Sequence, residues 1–159
     1  MPSGDVHTAV NLGALAVLSA AGLLLSLPQD TLIAFGGGML LSTLLITPDL
    51  DLAGHVRVRA RRNWGLWGEL WRPLSLFVRH RGVTHTFVRG PLLLLGYALA
   101  VMGVMLSVLR WLMRSSPLLT LPWTGVSGQS VFAALAGYLV GYWLHVWLDG
   151  YRPWHKGRC

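Results

Sequence analysis

The sequence predicts an all-α integral membrane bundle of about four transmembrane helices, with a basic, Trp-containing interfacial segment between helices two and three. Three observations lead there. Hydrophobic residues make up 53% of the 159 and charged residues 12%, about half the charged share of a soluble domain. The apolar residues collect in four runs of bilayer-crossing length. The basic residues collect on one side of the map that those runs draw. The length suits one membrane domain, residues 1–159.

Helix one is expected at about residues 7–27, a stretch with no charged side chain unless His7 is protonated. At 1.5 Å per residue it spans the hydrocarbon. A cleavable signal peptide would open on basic residues, whereas residues 1–6 hold Asp5 and neither Lys nor Arg, so the run is expected to remain as a helix. Pro28, Gln29 and Asp30 form a turn. Helix two is expected at about 31–47, with Gly36, Gly37 and Gly38 in its middle, which favours close helix contact over helix propensity. Pro48 disfavours helical geometry at Thr47 and stops it.

Residues 48–89 form a juxtamembrane segment. Arg57, Arg59, Arg61 and Arg62 precede Trp64, Trp67 and Trp71, which recur at helical spacing and would line one face of a short helix. Trp at the interface and Arg near lipid phosphate fit a segment lying in the headgroup region, with membrane lipid as partner. Basic residues among aromatics also suit single-stranded nucleic acid, but flanking membrane runs make nucleic acid an unexpected partner. Helix three is expected at about 90–113, followed by a loop with Pro117 and Pro122, and helix four at about 129–149. Gly137 and Gly141 in helix four have the small-xxx-small spacing of packed membrane helices. The single Cys159 excludes an internal disulfide and a cysteine-based zinc motif.

With four crossings, residues 48–89 and both termini share a side. Eleven of the thirteen basic residues lie there and only Arg110 and Arg114 lie opposite. The positive-inside rule makes that side cytoplasmic, in an inner (cytoplasmic) multi-pass membrane protein. His7, Asp49, Asp51, His80, His85, His145 and Asp149 all fall at helix ends on this same side. Hydropathy does not require that convergence, and helical bundles build metal sites from facing helices in this way.

His145 and Asp149 are an i, i+4 pair. They can share a metal, the Asp can orient the His, or the two can simply bond at a helix end. Asp49 and Asp51 need a turn to converge. Asp is unfavourable at a helix C-terminus, so a compensating cation is expected, either a metal or a nearby arginine. His80 and His85, with an Arg and a Gly between them, are the most specific signal; the plain alternative is interfacial histidines beside arginine. His7 and Asn11 are four apart and can be a ligand, its support or neither. His55 and His155 look peripheral.

His7, the Pro48-Asp49-Leu50-Asp51 motif, an Arg- and Trp-containing linker, His80-Arg-Gly-Val-Thr-His85 and a late His145-x-x-x-Asp149 together resemble the bacterial and archaeal family of predicted metal-binding membrane proteins of unknown function. They are also similar to the SOS-induced, membrane-bound, predicted metal-dependent hydrolases, which share a PDxD-like and an HRGxTH-like motif. The resemblance runs from about His7 to Asp149 and implies metal binding and hydrolysis. Lipid phosphatases of the acid-phosphatase superfamily also end on a His shortly before an Asp, but their Ser-Arg pair and Ser-Gly-His motif are missing here, which excludes their phosphohistidine mechanism.

The expected site is thus a divalent ion, Zn, Mn or Fe, or a pair of ions. Asp49, Asp51, His85, His145 and Asp149 are the expected ligands, with His7 and His80 as further candidates. Asp51 is the expected general base, and Arg81 is expected to neutralise an anionic small-molecule or lipid substrate. An ion that only staples helix ends is the alternative to an enzyme.

Overall fold

A computed structural model describes residues 3–56, 58–80, 82–113 and 125–153. It is all-helical, with no strand among the described residues. Helix α1 spans Gly4–Leu24, α2 Gln29–Leu40, α3 Arg59–Asn63, α4 Arg72–Phe77, α5 Arg89–Leu112 and α6 Gly128–Leu148. Among the described residues, four segments are long and apolar enough to cross a membrane: Gly4–Leu24, Gln29–Leu52, Arg89–Leu112 and Gly128–Leu148. Their outward faces carry Leu23, Leu24, Ile33, Leu99, Val104, Phe132 and other exposed apolar side chains. By length and composition these are features of membrane-spanning helices.

Helix α1 starts and ends three residues earlier than the apolar run suggests. Hydropathy reads side chains, whereas the end is set by the backbone. Ser26 adopts a left-handed φ of 53°, and the Leu27 N–H reaches back to the Gly22 carbonyl, which closes the helix before the apolar residues run out.

Helices α2 and α6 are the centre of the bundle. A Cβ at Gly38 would lie 1.8 Å from the Ala134 carbonyl oxygen, and one at Gly137 would lie 2.0 Å from that of Phe35. The two backbones therefore touch, and only glycine permits it. Beyond Leu40 the helix widens into a π-turn, Leu41–Leu45. Ser42 and Thr43 there bond back to the Met39 carbonyl at 3.0 and 2.7 Å. Asn11 of α1 ties this turn to α6, donating to Thr43 Oγ1 at 3.0 Å and to the Gly141 carbonyl at 2.9 Å. Such turns occur often at functional sites, and this one leads directly into the two aspartates.

The Trp-containing stretch departs from a single amphipathic helix. Gly65 takes a φ of 58°, so α3 gives way to a tighter 3-10 turn, Gly65–Trp71, before α4. The changed pitch splits the aromatic face. Trp71 is buried against Trp64 and Tyr97, while Trp67 stays exposed. The Trp64 indole and the Asn63 amide donate to the carbonyls of Leu45 and Leu44, seating α3 on the π-turn. Helix α5 meets the bundle through Gly90, Pro91, Leu94 and Ala98 near its start.

Candidate metal centre

Two short turns and the end of α6 build the site. Thr47 is extended, with ψ at 156°, and Pro48 opens a 3-10 turn, Pro48–Leu52, as expected for a residue before proline. That turn sends Asp49 and Asp51 in different directions. A second 3-10 turn, Val83–His85, carries Thr84 and His85. It is pinned at both ends. The Tyr142 hydroxyl donates to the Thr84 carbonyl, and Thr86 Oγ1 accepts the Gly90 N–H at 2.9 Å, capping the first turn of α5. Helix α6 supplies His145 and ends at Asp149. Gly150, with φ 85°, turns the chain back, its N–H bonding the Trp147 carbonyl and that of Tyr151 the Val146 carbonyl, an ending that needs glycine's left-handed freedom. The same turn lays the Tyr151 ring 5.4 Å from that of His85.

The outcome is a compact cluster. His85 Nε2 lies 3.4 Å from Asp149 Oδ2 and 4.0 Å from Asp49 Oδ1. His145 Nε2 lies 3.5 Å from Asp49 Oδ2 and 3.5 Å from Asp149 Oδ2. Asp49, His85, His145 and Asp149 thus offer four donors that one ion can share. A tetrahedral shell with bonds of about 2.05 Å spaces its donors roughly 3.3 Å apart, close to these separations. His85 Nε2 and His145 Nε2 are buried with no hydrogen-bond partner. Orphaned buried nitrogens are costly, and a shared cation answers that cost. The donor set fits a divalent metal of the zinc, manganese or iron type.

The remaining candidates surround these four. His7 Nε2 stands 3.3 Å from Asp149 Oδ1, and its ring stacks on that of His145 at 4.1 Å and 17°. It steadies both residues at the edge of the cluster. Asp51 is fully buried on the other side of His85. It accepts a 2.6 Å hydrogen bond from the Thr84 hydroxyl and lies 2.9 Å from His80 Nδ1. Thr84 Oγ1 is in turn 3.2 Å from His85 Nδ1. The chain His85 Nδ1–H to Thr84 to Asp51 keeps a proton on Nδ1 and leaves Nε2 free for a metal, the familiar role of an outer carboxylate. Asp51, His80 and His85 also form a second group close enough to hold an ion, an arrangement in which the metal would replace the Nδ1 proton of the relay. The two aspartates therefore grip one imidazole from its two nitrogens.

Asp149 is the site carboxylate just beyond its helix. Burial pulls its carboxyl upward, but the neighbouring imidazoles of His7, His85 and His145 outweigh that and hold it below the usual carboxylate range. An aspartate at a helix C-terminus is otherwise disfavoured, so here the imidazoles offset the dipole.

Of the residues singled out in the sequence, His7, Asp49, Asp51, His80, His85, His145 and Asp149 come together. Arg81 lies outside the described residues. His55 is exposed, and His155 also lies outside the described residues. The sequence reading missed Thr84, which sat unremarked between the two histidines. Arg59 and Arg62, read from the sequence as lying near lipid phosphate, line a cleft of about 270 Å³ beside His7, Asp49 and His145.

Fold and site together define an all-helical metal-binding protein with four helices of membrane-crossing length. The chain belongs to the family described as "Uncharacterized metal-binding protein (DUF2227)", whose model matches residues 2–158. A protein from Aquifex aeolicus (strain VF5), described as "Uncharacterized protein", is 46% identical over 70 residues, covering 44% of this chain and 48% of that protein. The match thus spans about half of the relative's length. No solved structure matches the chain.

Proposed function

We propose that the protein is a metal-dependent hydrolase working at the cytoplasmic surface of the inner membrane on an anionic substrate, a phosphate ester or a lipid-linked molecule. The observation that carries this reading is the pair of buried, unpartnered nitrogens of His85 and His145 facing Asp49 and Asp149. A divalent ion bound there supplies a Lewis acid and brings a ligated water's pKa near neutrality. The motif resemblance to the SOS-induced predicted hydrolases points the same way.

In this reading His85, His145, Asp49 and Asp149 hold the ion, and His7 braces Asp149. Asp51, which the sequence suggested as base, holds the His85 tautomer through Thr84. Asp49 has 29% of its side chain exposed and borders the cleft, so the oxygen that it does not give to the ion is placed to take a proton from an attacking water. Arg81 is assigned to substrate charge together with Arg59 and Arg62. The basic residues on this face support a cytoplasmic location by the positive-inside rule.

The alternative is an ion that only fastens helix ends. It is favoured by the four protein donors, which fill a tetrahedral shell as structural sites do, and disfavoured by the polar cleft that reaches Asp49 and His145. The test is metal content of the purified protein by mass spectrometry, with Asp49→Ala and His85→Ala, followed by hydrolysis of a panel of phosphate esters. The expected result is bound metal in the parent, its loss in both variants, and metal-dependent turnover. Unchanged metal content in both variants ends the proposal; bound metal with no turnover on any ester moves the protein to the fastening role.

A further inference from the structure

Two depressions meet at Arg59. One is the polar cleft beside the metal centre, with Arg59 and Arg62 on one wall and His7, Asn11, Asp49 and His145 on the others. Asn11 is almost fully buried there, with its Oδ1 lacking a hydrogen-bond partner. The other is a groove of about 420 Å³ along the flank of α2, lined by Gly37, Leu40, Leu41, Leu44 and Leu45, with Arg59 and Asn63 at its rim. That volume lies within the roughly 300–1,000 Å³ of small-molecule sites.

The two halves differ in chemistry. The cleft offers guanidinium groups next to a place for a divalent cation, which suits an anionic oxygen group such as a phosphate. The groove is apolar and runs along Gln29–Leu52, one of the segments of membrane-crossing length. A soluble phosphate would fill only the first. A ligand that satisfies both carries an anionic head and a hydrocarbon chain. Arg59 now pairs with Asp5, whose side chain is 85% exposed. Exposed pairs hold weakly, so an incoming head group can take Asp5's place.

We propose that cleft and groove form one binding site for an anionic amphiphile of the lipid-phosphate type, its head against Arg59 and Arg62 beside the metal centre and its acyl chain along α2. That this amphiphile is the substrate rests on the hydrolase reading above; the binding site itself does not.

The test is equilibrium binding of short-chain phosphatidic acid and of glycerol phosphate to the purified full chain, metal-free and zinc-loaded. The variants are Arg59→Gln with Arg62→Gln, and Gly37→Leu. Gly37 lines the groove and a Cβ there meets nothing within 4 Å, so leucine is accommodated without a clash and also gains helix propensity. Phosphatidic acid is expected to bind, with glycerol phosphate at least about tenfold weaker. Losing charge-assisted bonds to the head group should weaken phosphatidic acid at least about tenfold in the double variant, with or without zinc. Gly37→Leu should weaken phosphatidic acid and leave glycerol phosphate unchanged. Glycerol phosphate binding as tightly as phosphatidic acid overturns the lipid assignment in favour of free phosphate, and indifference to the arginines overturns the site. A chain that takes up no zinc yet shows both variant effects refutes the hydrolase and keeps the lipid site. A chain that takes up zinc and shows neither effect refutes the lipid site alone.

Discussion

Thr84→Val replaces one buried hydroxyl by a methyl of nearly the same shape and tests the relay behind His85. The hydroxyl donates a 2.6 Å bond to Asp51 Oδ2 and lies 3.2 Å from His85 Nδ1. A bond to an ionised carboxylate contributes about 1.5–3 kcal/mol, so the metal-free protein should lose stability of that order. The larger effect should be on the metal. Without Thr84 the His85 ring loses the contact that fixes its tautomer and its angle toward Asp49 and Asp149. Outer partners of this kind typically change metal affinity 10–100-fold. The assay is zinc affinity by competition with a chromophoric chelator, alongside a melting curve of the metal-free protein. Thr84→Ser keeps the oxygen and should recover most of the affinity even where it costs some packing. If Thr84→Val melts lower but binds zinc as the parent does, the residue serves packing alone and the relay is wrong.

Three further outcomes are expected. Gly137→Ala puts a methyl 2.0 Å from the Phe35 carbonyl, so α2 and α6 must part; overpacking of this kind costs about 1–3 kcal/mol, and an unchanged melting temperature would show that the helices are not in backbone contact. Asn11→Ala removes the donors to Thr43 Oγ1 and to the Gly141 carbonyl and should destabilise by about 1–3 kcal/mol, read as a lower melting temperature in detergent. Stripping metal with a chelator should lower the melting temperature of the parent, by about 2.7 kcal/mol of stability for an ion at 100 times its Kd. In His145→Ala that chelator-dependent step should vanish, and its persistence would place the ion elsewhere.

The four long helices were legible because a membrane span is a property of composition over about 20 residues, and each run can be counted without knowing its neighbours. The ends were less so, since Ser26 closes α1 by a backbone angle that hydropathy does not register. The Trp stretch read as one face because spacing was taken at a constant helical pitch, and Gly65 changed that pitch midway. The site residues were legible for a different reason. In a chain with only six Asp or Glu, aspartates and histidines set at membrane-run ends are expensive, and expense is visible in a sequence.

The sequence by itself determined the helical class, the four apolar runs and the set of costly side chains that had to share one end of them. Tertiary structure alone decided how those side chains divide. It put Asp49 on the Nε2 side of His85 and Asp51 on the Nδ1 side, stacked His7 on His145, and brought Arg59 and Arg62 to the edge of the same cleft. The physical reason is that ligation and hydrogen bonding act over about 2–4 Å between atoms. Which atoms reach that distance depends on two 3-10 turns, a π-turn and a glycine ending, none of which leaves a periodic mark in the chain.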